Sequence, residues 1–235
     1  MNLIQLDAVV HKNVKIHQGY GHQFGEHVHY VPVIADELKN LVCEYPVCFM
    51  KNPNNGQFEL VAILGFQAGQ NLYLNDEQWR TNYIPLHFRR QPFMLSSQAE
   101  NQTQLIFDQT SKRINSEKGL ALFDEKGNET VYLLSIKKML STLASGSYST
   151  SLMIKALIDH DIIEPIRIKV TLTEASDTDN VNYIDGLYSI NEQKLGQLTD
   201  SLLIDFSRKG YLQACAYLGA SLGHLDKLNK WNQVR

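Results

Sequence analysis

Apolar and polar positions along the chain divide it into short strands and longer helices. Apolar residues at 47–50 and 58–66 flank the turn NPNNG, whose Asn-Gly pair adopts positive φ at little cost. This arrangement predicts a β-hairpin. Strict alternation over residues 166–173 predicts a strand with one wet face, and its turn is expected in the polar segment 174–182.

Apolar residues recur at helical spacing in six other segments of the chain, which are predicted to be helices. These segments are residues 35–42, 82–90, 131–143, 148–159, 192–206 and 211–228. The sequence ASGS at 144–147 is expected to separate the third helix from the fourth, and Gly210 is expected to separate the last two.

Strands that alternate with helices but are joined mainly by hairpins predict an α+β fold. We expect a mixed, mainly antiparallel sheet with flanking helices and a helical C-terminal part. Residues 1–30 are polar, rich in His and Gly, and without a helical period, so they are expected to form an extended polar arm. Since no Pro- or Ser-rich linker follows, residues 31–235 are expected to form a single α+β domain.

Composition restricts the class of protein. The hydrophobic content of 43% is typical of a globular chain, and 22 basic against 25 acidic residues give a net charge of -3. No overall positive field therefore attracts nucleic acid or an anionic membrane surface. The start of the sequence lacks the pattern of a secretory signal, and the apolar runs are too short to span a bilayer. The three cysteines cannot all form disulfides, so reduced thiols are expected. We expect a soluble cytoplasmic protein with no nucleic-acid partner and no membrane span.

The stretch GHQFGEHVH at 21–29 resembles the start of the metal motif of a cupin, in which two histidines are separated by one residue. In a cupin a glutamate follows after three or four intervening residues, so that its side chain reaches the same ion. Those positions are Val33 and Ile34 here, and Pro32 interrupts the strand that should carry the ligands. The cupin interpretation fails at its third ligand.

A metal site in another fold stays an alternative. His27 and His29 lie on one face of an extended chain, and neutral imidazoles two residues apart can share an ion. His22 and Glu37 are the next candidate ligands, and a divalent transition metal would be the cofactor. The favoured interpretation is a solvated polar lead-in to the fold without a cofactor, because motifs this short arise by chance.

A second candidate site combines cations with aromatic rings. Guanidinium groups hold carboxylates or phosphates through two hydrogen bonds, and aromatic rings supply contact area. The candidate ligand-binding residues are Tyr73, Trp79, Tyr83, His87, Arg89 and Arg90. The favoured alternative is a surface ion pair to an acidic turn together with stacking on an aromatic face. An open groove at the rings would favour peptide or protein binding, whereas a dry core would make them structural. The nucleotide-binding and nucleophile-elbow motifs are absent from the sequence, and no His is placed to activate a cysteine.

Several blocks of sequence resemble the bacterial SapC family, in an order that covers the chain from about residue 29 to near its end. They are HYVPV at 29–33, YPVCF at 45–49, residues 60–65, NLY at 71–73 with Trp79, YIP at 83–85, RRQPF at 89–93, LFDEKG at 122–127, GLYSINEQKL at 186–195 and residues 218–225.

The resemblance implies a general role and no catalytic residues. The family takes its name from a surface-layer gene cluster, and its members tend to be encoded near outer-membrane receptors and flavin-dependent halogenase-like proteins. This implies a soluble, non-catalytic binding or accessory protein of bacterial surface-layer, nutrient-uptake or peptide-handling pathways, working with a protein or peptide partner. The alternative is a metal-dependent enzyme, of the oxygenase or hydrolase type, that uses the N-terminal histidines.

Overall fold

The computed structural model describes residues 2–97, 103–115, 117–172 and 180–233. The strands are β1 (Leu3–Gln5), β2 (Lys15–Ile16), β3 (Tyr30–Pro32), β4 (Val47–Lys51), β5 (Phe58–Ile63), β6 (Leu74–Asn75), β7 (Gln78–Trp79), β8 (Phe93–Ser97), β9 (Thr103–Asp108), β10 (Ile114–Asn115), β11 (Leu120–Ala121), β12 (Ile163–Leu172) and β13 (Asn180–Ile190). The α-helices are α1 (Leu38–Leu41), α2 (Leu86–Arg89), α3 (Val131–Asp159), α4 (Glu192–Gly196), α5 (Asp200–Arg208), α6 (Tyr211–Ser221) and α7 (His224–Gln233). Two 3₁₀ turns cover His22–Phe24 and Ala35–Glu37.

Contacts divide the chain into two compact units. Unit 1 consists of Met1–His27, Leu74–Arg80 and Leu86–Ser145, and unit 2 consists of Val28–Tyr73, Thr81–Pro85 and Gly146–Arg235. The expectation of one domain over residues 31–235 stays a prediction, since both units draw on that range.

Unit 2 contains a five-stranded antiparallel sheet with the order β12-β13-β4-β5-β3. The predicted hairpin is confirmed: β4 pairs with β5 from Val47 opposite Ala62 to Lys51 opposite Phe58, and Gly56 in the turn has φ of 70°. The predicted alternating strand is β12, which pairs with β13 along its length. Helix α6 is tied to the sheet by the Ser221 hydroxyl, which accepts a hydrogen bond of 3.0 Å from the Val47 amide. Antiparallel sheets and helices together confirm the α+β prediction.

Unit 1 contains small antiparallel sheets with the orders β1-β9-β8, β10-β2-β11 and β6-β7. Its core includes Phe93 and Phe107 from the first sheet and Ile16 from the second, packed with Leu133 and Ile136 of α3. Residues 1–30, expected to be an extended arm, supply β1 and β2 here and β3 in unit 2. These strands have two or three residues each, which is too short for an apolar period to show in the sequence.

Helix α3 differs from the sequence prediction of two helices, because it continues through ASGS at 144–147. Small residues are needed at this point for packing. A Cβ added to Gly146 would lie 2.4 Å from Cδ1 of Ile34, a buried residue of the same unit. Gly146 thus marks a close approach inside a helix, whereas the sequence suggested a break.

The other helices also differ at their ends. The predicted helices over 192–206 and 211–228 are each divided, into α4 with α5 and α6 with α7, and the helix predicted over 82–90 is only α2. Pro85 precedes α2 and has no amide to extend the helix backwards, although it suits a helix start. Of the turn expected over 174–182, residues 174–179 lie outside the described residues.

We predict that Gly146→Ala lowers the free energy of unfolding by about 1–2 kcal/mol. Overpacking against Ile34 costs about 1–3 kcal/mol and outweighs the gain of up to about 1 kcal/mol in helix propensity. Urea unfolding followed by circular dichroism measures the change. Gly196→Ala is the control, because this helical glycine has nothing within 4 Å of an added Cβ. A Gly146→Ala variant at least as stable as the wild type contradicts the close approach.

Candidate ligand-binding site

A buried ion pair lies within unit 1. Arg113 Nη2 lies 2.5 Å from Glu26 Oε1, and the two residues are 5% and 0% exposed. Glu26 follows the 3₁₀ turn His22–Phe24, and Arg113 directly precedes β10. Removing one partner of a buried pair costs about 3–5 kcal/mol, since the other charge stays buried and uncompensated. Each residue is therefore needed to keep the other in place.

The ion pair organises the backbone of residues 17–26. Arg113 Nη1 donates to the carbonyl oxygens of Gly19 at 2.7 Å and His17 at 3.4 Å, and Glu26 Oε2 accepts from the Gly21 amide at 2.9 Å. The Arg113 guanidinium also lies 4.2 Å from the centroid of the Phe24 ring, where a cation is attracted to the ring face. A polar segment without regular secondary structure is thus fixed by side chains.

Burial raises the pKa of Glu26, and the Gly21 amide and Arg113 oppose this rise. The indole N–H of Trp79 also lowers the pKa of Glu26, although it lies outside hydrogen-bond geometry. Among the described residues, Nε of Arg113 has no hydrogen-bond partner and is buried. A buried donor without an acceptor costs about 1–3 kcal/mol. Arg113 is also one of the residues that line a cleft.

The cleft has a volume of about 420 Å³, which is in the range of small-ligand sites. All of its lining belongs to unit 1. The residues are Ile16, His17, Gln18, Gly19, Tyr20, Phe88, Arg89, Gln91, Arg113, Tyr132, Ser135, Ile136 and Met139. One wall is the segment around residues 16–20 that Arg113 holds, and another is the end of α2. The third wall is one face of α3. Its lining residues are Tyr132, Ser135, Ile136 and Met139, and positions three or four apart on a helix lie on the same face.

The cleft combines polar and apolar side chains and is lined by a positively charged residue that is exposed. Arg89 is exposed, and among the described residues it forms no ion pair. Burial raises the pKa of Tyr20, as does Glu26, whereas Arg113 and Arg89 lower it. Burial likewise raises the pKa of Tyr132, and Gln18 and Arg113 lower it. The field of the arginines therefore reaches hydroxyl groups on two sides of the cleft.

Two of the candidate ligand-binding residues have structural contacts in unit 2. Tyr73 is fully buried, stacks on Tyr45 with centroids 4.4 Å apart, and donates to the carbonyl of Glu44 at 2.9 Å. Tyr83 donates to Glu37 Oε1 at 2.9 Å and accepts at its carbonyl from the Tyr45 hydroxyl at 2.6 Å. Their hydroxyl groups thus have partners within the unit.

The remaining candidates belong to unit 1, but only Arg89 lines the cleft. Trp79 packs between Tyr20 and Phe88, with centroids 6.1 and 5.2 Å away. Arg90 donates to the carbonyl of Phe93 at 2.8 Å and lies 3.2 Å from Nε2 of His87. Since a guanidinium only donates, Nε2 accepts, and the imidazole is neutral with its proton on Nδ1.

The metal candidates are distributed over both units. In unit 1 the rings of His22 and His27 are stacked, with centroids 3.9 Å apart and 29° between planes. Lone pairs lie in the ring planes, so nearly parallel rings do not direct them at one ion. In unit 2, burial lowers the pKa of His29, and Glu37 accepts from Tyr83 and from the Ile34 amide. Among the described residues no three or more His, Cys, Asp and Glu side chains form a metal-ligating group. The metal site stays a prediction.

Sequence reasoning missed most of the cleft. Arg113, Tyr20 and Tyr132 were not candidates, because each is isolated in the sequence from Arg89 and from the others. The one available signal was the helical spacing of Tyr132, Ile136 and Met139, which indicates a face of α3 but not what it covers.

Burial also raises the pKa of the Cys48 and Cys215 thiols to about 12, as expected for core cysteines.

The fold and cleft describe an α+β protein with a ligand-sized site in one of its units. The SapC family model matches residues 6–228, so the chain belongs to the SapC family. No curated protein and no solved structure matches the chain. None of the described helices has the length and apolar character needed to cross a membrane.

We predict that acid destabilises the wild type more than a His87→Gln variant. Burial, with Arg90, lowers the pKa of His87 to about 4 from its usual 6.5, so the unfolded state binds this proton more tightly. The contribution of the neutral His87 to the free energy of unfolding is complete above pH 6.5 and is lost as the pH falls towards 4. Between pH 7 and 4.5 the wild type should lose about 2 kcal/mol more than the variant. Urea titrations at the two pH values test this, and equal losses contradict a neutral, buried imidazole.

Proposed function

We propose that this protein is a non-catalytic binding protein whose cleft in unit 1 holds a peptide or a segment of a protein partner. The observation that carries this proposal is the cleft itself. It combines an exposed arginine, Arg89, with aromatic and apolar residues and several uncharged hydrogen-bonding groups. Binding sites for short segments typically pair such an apolar surface with a few polar groups that fix orientation.

The construction of the cleft also supports binding. Its wall at residues 16–20 is held by a buried ion pair and its opposite side by the long helix α3. A site held in shape before binding loses less conformational entropy when a ligand enters. Membership of the SapC family is consistent with an accessory role. We propose a cytoplasmic location and a bacterial surface-layer, nutrient-uptake or peptide-handling pathway as its context.

Blocking the cleft tests this function. Ser135 is exposed on α3 and lines the cleft, so Ser135→Trp places an indole in the opening. The control is Ser141→Trp, since Ser141 is equally exposed on the same helix and does not line the cleft. A pool of tetrapeptides of mixed sequence is incubated with each protein, and the retained peptides are identified by mass spectrometry. We expect the wild type and Ser141→Trp to retain the same peptides and Ser135→Trp to lose at least about nine-tenths of them.

Two outcomes contradict the proposal. Equal retention by both variants places any binding outside the cleft. If peptides are recovered with an altered mass, in amounts that grow with time, the protein catalyses a reaction. This result favours the alternative function of a metal-dependent enzyme. That alternative has its own check, because elemental analysis of untagged wild type and His27→Ala/His29→Ala protein would then show metal in the first and none in the second.

A further inference from the structure

We infer that the cleft of unit 1 recognises a single carboxylate group of its ligand, with Arg89 as the direct contact. This inference rests on the proposed binding function and adds the chemical class of the ligand. A guanidinium presents two parallel N–H donors that match the two oxygens of a carboxylate. Arg89 is exposed at the end of α2 and has no ion-pair partner among the described residues, so its donors are available to a ligand.

The charges around the cleft favour one negative charge. The cleft is lined by two arginines and, in the part of the chain that the structure describes, by no Asp or Glu. Arg113 is neutralised by Glu26 behind the wall, which leaves Arg89 as the uncompensated charge. A monoanion therefore balances the site. A phosphate dianion would bring a second charge towards the buried Glu26 carboxylate without a second free cation.

Arg113 has an indirect role in this recognition. The residue lines the cleft, although it is only 5% exposed. Its position is fixed by the ion pair with Glu26, and its hydrogen bond to the carbonyl oxygen of Gly19 holds the cleft wall in place. Arg113 is accordingly a positioning residue.

The remaining surface favours an apolar group next to the carboxylate. Phe88, Ile136 and Met139 line the same cleft as Arg89, together with the ring of Tyr20. A carboxylate next to an apolar side chain is the chemistry of a peptide C-terminus, and it is also that of a small aromatic acid. The two sources share the group that Arg89 binds, and they differ in the chain that precedes it.

Four probes test the inference on the full chain: an acetylated tetrapeptide that ends in phenylalanine, the same peptide with a C-terminal amide, benzoate, and inorganic phosphate. Binding is measured by isothermal titration calorimetry, and the arginine Nε–Hε signals are followed by NMR. We expect the peptide acid to bind at least about tenfold more tightly than its amide and to shift the signals of Arg89 and Arg113. Phosphate should bind more weakly than the peptide acid.

Matched variants connect the effect to one side chain. Arg89→Gln should weaken binding of the peptide acid by at least about tenfold and leave the weak binding of the amide unchanged. Lys138→Gln removes the same charge from an exposed position on α3 outside the cleft, and it should change affinity less than about twofold. Benzoate binding equal to that of the peptide acid assigns the site to small acids, and weaker binding assigns it to chain ends. Both results support the carboxylate.

The outcomes separate this inference from the proposed function. If the amide binds as tightly as the acid, or if Arg89→Gln and Lys138→Gln behave alike, the carboxylate inference is wrong while a peptide-binding cleft remains. Tighter binding of phosphate than of the peptide acid also overturns it. If none of the four probes binds and no tetrapeptide is retained from the mixed pool, the binding function itself is wrong.

Discussion

The buried ion pair between Glu26 and Arg113 is the interaction on which the candidate site depends. Residues 17–26 contain three glycines and no strand, so regular secondary structure does not hold them in place. Arg113 binds two of their carbonyl oxygens and Glu26 binds one of their amides. A buried pair of this kind is weak evidence for overall stability, but its partners cannot be separated without a large penalty. Its main effect here is to give one wall of the cleft a defined shape.

Much of the fold was predictable because local patterns determine it. The NPNNG turn with apolar runs on both sides specified the β4–β5 hairpin, and strict alternation specified β12. Errors arose where tertiary contacts decide. Gly146 suggested a helix break, but it is a glycine because Ile34 packs against it. The strands of residues 1–30 are two or three residues long and find their partners far along the chain, as β1 does with β9. Strands this short show no periodicity in the sequence that would reveal their partners.

The candidate site was predictable only in part, for a related reason. The sequence pointed to Arg89 because aromatic residues and a second arginine surround it, and Arg89 does line the cleft. The same reasoning included Tyr73 and Tyr83, whose hydroxyl groups are bound to the carbonyl of Glu44 and the carboxylate of Glu37. Composition shows that an aromatic residue is present and not which partner its hydroxyl has. Arg113 had no signal, because the 87 positions that separate it from Glu26 conceal their contact.

Hydrogen exchange at the Gly21 amide tests the role of the ion pair most directly, since this amide donates to Glu26 and directly follows the cleft wall at residues 16–20. It is measured by NMR in the wild type and in Arg113→Met, with the Ile63 amide of unit 2, bound to the Pro46 carbonyl, as the internal reference. We predict that the Gly21 amide is protected in the wild type and exchanges at least about a hundredfold faster in the variant, as a penalty of about 3 kcal/mol requires. Equal exchange at Gly21 in the two proteins would contradict this prediction.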